Sequence, residues 1–82
     1  MTITVLFFSL FRDKTGADSI LLELPKGATT VADAMRLVFE KYSELESWSD
    51  KMLLAVNCEF AKPDVALKAG DELALMPPVQ GG

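Results

Sequence analysis

The residues of this chain that could do chemistry are few, and they gather at one end: Pro77, Pro78, Val79, Gln80, Gly81 and Gly82. At an average glycine usage of about 7%, a closing Gly-Gly arises by chance in roughly one chain in 200. It reads either as a frayed end or expression remnant, or as a tail whose terminal carboxylate is the working group. A carboxylate is a poor electrophile until its oxygen becomes a leaving group. Once activated, such an acyl group must be kept from water. Val79 to Gly82 reach roughly 13 Å at ~3.3 Å per residue, enough to carry an acyl group into another protein. Gly81 and Gly82 have no Cβ and suit a narrow channel, while Pro77-Pro78 stiffens the exit and lowers the entropy lost on insertion.

Elsewhere the composition mostly excludes. The chain has 82 residues, no histidine and one cysteine, Cys58. A Ser-His-Asp or Cys-His pair is therefore impossible within it, no zinc spacing exists, and no metal site is expected. The remaining glycines, Gly16, Gly27 and Gly70, are scattered and form no phosphate loop. A net charge of −4 opposes non-specific nucleic-acid binding. The longest apolar runs, Val5 to Phe8 and Met52 to Val56, are far too short to span a bilayer, and Met1-Thr2-Ile3-Thr4 lacks the basic start of a signal peptide. The expectation is one small cytoplasmic domain, residues 1–82, that binds a partner or lends one chemical group to a larger machine, with no permanently bound cofactor.

The elements that must position the tail follow from periodicity. "ITVLFFSLF" alternates Ile3, Val5 and Phe7 against Thr4, Leu6 and Phe8, a strand that becomes apolar on both faces. "FRDKTGAD" breaks it with charge and Gly16 and reads as a turn. "SILLELP" is a second strand, antiparallel to the first because the connection is short. From Thr30 to Tyr42 the period becomes helical, with Val31, Ala34, Met35, Val38 and Tyr42 on one side and Thr30 and Asp33 as a capping box. "SELESWSD" is a polar connection in which Trp48 covers one end of the core. "MLLAVN" and "CEFA" form a hairpin bent at Asn57, and Glu72 to Met76 is the last strand after a turn at Ala69-Gly70-Asp71. Strands around one main helix define an α+β layer, a mixed sheet with the helix packed across one face and the first and last strands adjacent: the outline of a β-grasp, ubiquitin-like domain.

With that outline in hand, "VLFFSLFRDKTG", "AVNCEFA" and above all "LKAGDELALMPPVQGG" resemble the small-subunit family of molybdopterin synthase, in the sulfur-carrier branch of the ubiquitin-like superfamily. Asp13 stands where that family has Glu, and Met76 where it often has an aromatic. The resemblance implies that an E1-like adenylyltransferase uses ATP to form a glycyl adenylate at Gly82, which becomes a 1-thioglycine. The tail (Val79, Gln80, Gly81) then enters the large synthase subunit, in a heterotetramer with two of each chain. There the sulfur passes to cyclic pyranopterin monophosphate in molybdenum cofactor biosynthesis. A thiazole-pathway sulfur carrier, a ubiquitin-like protein modifier and a β-grasp interaction module without chemistry stay open beside it.

The partner surface is expected on the sheet face opposite the helix. Alternation from Phe7 and Leu75 puts Phe8 and Met76 there, joined by Phe60, with Pro77 and Pro78 at the exit and Arg12 as an anchor. Cys58 reads as an idle hairpin residue rather than a sulfur relay. Asp71 and Glu72 read as turn chemistry first and a handle for basic groups second.

Overall fold

The computed structural model describes residues 1–78. Five strands, β1 (Thr2–Phe7), β2 (Ser19–Glu23), β3 (Leu53–Val56), β4 (Glu59–Phe60) and β5 (Glu72–Met76), form one sheet in the order β2-β1-β5-β3-β4. The β1–β5 pair is parallel and the other three pairs are antiparallel, so the sheet is mixed and its first and last strands are neighbours.

Helix α2 (Val31–Lys41) lies across one face and buries Val31, Ala34, Met35 and Val38. Thr30 caps it: the Asp33 amide donates to the Thr30 hydroxyl oxygen at 3.3 Å, and the Thr30 amide donates to the Asp33 carboxylate at 3.1 Å. Such a cap stabilises a helix by about 1 kcal/mol. Two more amides of the first turn, Val31 and Ala32, would have no partner within the helix. They donate to the Val65 and Pro63 carbonyls at 2.9 Å each, which ties the long β4–β5 connection to the N-terminus of the helix.

Two segments depart from the expectation. "FRDKTGAD" is not simply a turn, because Leu10–Thr15 forms a short helix, α1, that drives Phe11 fully into the core. Ser9 turns the chain out of β1 with φ 52°, and Gly16 ends α1 at φ 74° with its amide on the Arg12 carbonyl at 2.9 Å. One helical turn and a half is too short to display a 3.6-residue period, so only Gly16, a left-handed helix end, signals it. "SELESWSD" is likewise more than a polar link: Ser43–Trp48 forms a 3-10 helix that buries Leu45. Trp48 packs edge-on to Phe11 at 5.8 Å between ring centres and closes that end of the core.

Ile3, Val5, Phe7, Leu73 and Leu75 supply the sheet side of the core, each at most 2% exposed. Among the described residues, no helix is long and apolar enough to cross a membrane.

Candidate functional site

The last strand decides where the tail starts and which side chains surround its root. β5 is held between β1 and β3 along its length, with Leu53 opposite Met76 and Leu54 opposite Leu75. The ladder continues past β1, since the Phe8 amide donates to the Leu75 carbonyl at 3.2 Å. Pro77 and Pro78 follow, both half-buried. Neither can donate a ladder hydrogen bond, so β5 ends at Met76. Val79, Gln80, Gly81 and Gly82, including the expected adenylation site and the expected flexibility of the tail, lie outside the described residues.

Because Leu73 and Leu75 point into the core, alternation turns Glu72, Ala74 and Met76 to the other side of the sheet. The registers then assemble rows across that open face. Phe60, Ala55, Ala74 and Leu6 stand side by side, and Leu53, Met76 and Phe8 form the next row towards the tail. Phe8 is 45% exposed and Phe60 78%, with no helix over either. Between them lies a shallow apolar depression of about 220 Å³, lined by Leu6, Phe8, Phe60, Ala74 and Met76 among others. Phe8, Phe60 and Met76 are thus brought together beside the Pro77-Pro78 exit. Arg12 is not in this cluster: it sits in α1 and faces Asp18 at 3.7 Å, a solvent-exposed pair of small energetic value.

Leu6, which alternation already places on this side, is joined by Leu53, Ala55 and Leu21, which the sequence pattern does not single out. The same alternation that exposes Phe8 exposes Leu6, and pairing of Thr4 with Leu21 carries the surface onto β2, where Leu21 is 75% exposed. Apolar residues on both faces of a strand signal burial until one knows that α1, α2 and the 3-10 helix all feed the core on one side of the sheet.

At the other end of β5 the chemistry is polar. Asn57 and Cys58 form the two-residue β3–β4 turn with φ 50° and 73°, the positive angles of a tight hairpin. The Asn57 side chain donates to the Asp71 carboxylate at 3.0 Å and accepts from the Glu72 amide at 3.0 Å. The Lys68 amide donates to Asp71 at 2.8 Å. These bonds, the Asn57 side chain first, hold the Asp71 carboxyl below its ordinary range. Asp71 is a structural clasp, 7% exposed, and unavailable as a handle for a partner. Cys58 is exposed and lines the far end of the same depression, beside Glu72, about 13 Å of strand from the Met76 end. Among the described residues no group of His, Cys, Asp or Glu could hold a metal ion.

A five-stranded mixed sheet with its main helix across one face and an apolar surface on the other is the layout of a β-grasp, ubiquitin-like domain. The chain belongs to the ThiS family, which it matches over residues 5–82. It is 34% identical over 80 residues to the molybdopterin synthase sulfur carrier subunit of Dictyostelium discoideum, covering 95% of this chain and 93% of that one. To the subunit of the same name from Chlamydomonas reinhardtii it is 36% identical over 84 residues, covering 100% of both. The crystal structure of the small archaeal modifier protein 1 of Haloferax volcanii superposes with a TM-score of 0.84 at 29% identity, covering 95% of this chain and 98% of that one.

Proposed function

We propose that this chain is the sulfur carrier subunit of a molybdopterin synthase and that its Gly82 carboxylate is the atom group that carries sulfur. The observation that carries the reading is identity of 34–36% to sulfur carrier subunits of that name along essentially the whole chain, the tail included. In the proposed cycle a Gly82 carboxylate oxygen attacks the α-phosphorus of ATP on an E1-like adenylyltransferase, releasing pyrophosphate. A sulfur nucleophile then displaces AMP to leave a thiocarboxylate. The tail enters the large subunit, where the sulfur attacks cyclic pyranopterin monophosphate, and hydrolysis returns the carboxylate. A product with two sulfurs requires two loaded carriers, which suits a heterotetramer with two of each chain.

The face bearing Leu6, Phe8, Phe60 and Met76 supplies the docking surface for this cycle, because it adjoins the exit of the tail. Activating enzyme and large subunit then compete for one face, and the carrier must leave the first to reach the second. Glycine at position 81 lets backbone alone fill the channel. A Val there adds a branched Cβ and bars positive φ.

The test is reconstitution with activating enzyme, ATP, a sulfide source and the pterin substrate, following C-terminal mass and dithiolene formation. Deleting Gly82 withdraws the reactive carbonyl by about 3.3 Å, and even ~1 Å of misplacement can cost a hundredfold in rate. Deletion and Gly81→Val are therefore expected to abolish transfer while leaving the thermal melt unchanged. Wild-type turnover by the deleted chain would sink the carrier assignment. The likeness to a small archaeal modifier protein supports a second reading, attachment of the Gly82 carboxylate to lysines of other proteins. Mass spectrometry of the C-terminus from the native host separates the two, as thiocarboxylate or isopeptide.

A further inference from the structure

The helix side of the sheet is not fully roofed. Five strands about 4.8 Å apart span roughly 19 Å, whereas one helix with its side chains is about 10–12 Å across. Over the β3 flank a groove of about 640 Å³ stays open between α2, the 3-10 helix and the stretch around Pro63. Its floor is apolar: Met35, Phe39, Met52, Leu54 and Pro63. Its charged rim consists of Arg36, Glu40 and Glu46. Arg36 donates to Asp33 at 3.0 Å in an exposed pair, so the rim itself sets one cation against two carboxylates. Neither glutamate forms an ion pair among the described residues.

We propose that this groove docks a short basic segment of a partner protein, which inserts one or two apolar side chains between Phe39 and Met52. The floor rewards apolar anchors, and its two methionines can adjust to more than one anchor shape. The rim selects for sign: two unpaired carboxylates favour Lys or Arg flanking the anchor and disfavour an acidic segment. A second copy of this chain fits poorly, because it brings a net charge of −4 to an acidic rim. The groove is also independent of the open face. Leu54 lines it, while its neighbour Leu53 pairs with Met76 on the opposite side of the same ladder. A protein held here leaves the tail and its docking face free, so one partner can retain the carrier while another loads or unloads it.

The experiment selects random peptides of about 12 residues, displayed on phage, against the immobilised full chain, and maps the enriched peptides by amide NMR titration. Enriched sequences are expected to carry Lys or Arg beside Leu, Phe or Met and to shift Met35, Phe39 and Leu54. Binding should weaken about tenfold or more in the double variant Glu40→Lys/Glu46→Lys, whose exposed positions leave the melt unchanged. Raising the salt concentration gives the same weakening without any substitution. Each of these results overturns the proposal: no enrichment, enrichment without basic bias, shifts confined to Leu6, Phe8 and Met76, or affinity that survives the double charge reversal. Shifts of the groove residues that grow with protein concentration alone would assign the groove to a second copy and overturn it equally.

Discussion

Strand β5 carries two apolar sets that differ only in what covers them. Leu73 and Leu75 face α2 and are completely buried, whereas Met76, one residue on, looks out over a sheet surface with no helix above it. β1 repeats the division, with Ile3, Val5 and Phe7 inside and Leu6 and Phe8 outside. Both sets have the residue types of a core. The inner set is made favourable by burial during folding, at roughly 25 cal/mol per Å² of apolar surface. The outer set keeps that gain in reserve for association, which is why an uncovered apolar face next to a tail reads as a docking surface.

The sharpest break of this division comes from the inner side. Phe11→Ala removes a fully buried ring that α1 delivers between the sheet and Trp48, and should cost about 3–5 kcal/mol in denaturant unfolding. A loss below ~1 kcal/mol would mean that α1 adds little to the core. On the outer side, Phe8→Asp or Met76→Asp should cost ~2 kcal/mol or more in binding to the large subunit, measured by calorimetry, with stability altered by only about 0.5 kcal/mol. Either variant unfolding would place its residue in the core and reverse the two faces.

At the far end of β5, Cys58→Gly should raise stability by about 1 kcal/mol, because φ 73° strains a side chain and suits glycine. The same variant should transfer sulfur at the wild-type rate; a folded but inactive Cys58→Gly protein would restore the thiol to the mechanism. The smallest effect is the response to acid. Asp71, through the Asn57 side chain and the Lys68 amide, and Asp33, through the Thr29 and Thr30 amides, have carboxyls depressed below the ordinary 3.8. A depressed carboxyl stabilises the fold fully above its unfolded value and loses that contribution as pH falls through the folded one. Melting temperature should therefore be level from neutral pH down to about 5 and decline below about 4, with a shallower decline in Asp71→Asn.

The local signals in this chain are strong wherever one residue or one period settles the geometry. Thr30 and Asp33 announced the start of α2, and alternation announced β1 and β5. Contacts between distant segments left no such mark. The clasp of Asn57 on Asp71 joins residues 14 apart in sequence, and neither looks unusual alone. Leu45 sits inside a run of polar residues, and its complete burial depends on α2 and the 3-10 helix meeting.

What the sequence determined by itself was the set of strands, the main helix and their amphipathic sides, because each rests on backbone preferences and spacings within a few residues, whereas α1 and the 3-10 helix are too short to show a period. Only the tertiary structure decided which apolar side is roofed. One helix is narrower than five strands, and the order β2-β1-β5-β3-β4 sets Phe8, Met76 and Phe60 beside one another on the side that α2 does not reach.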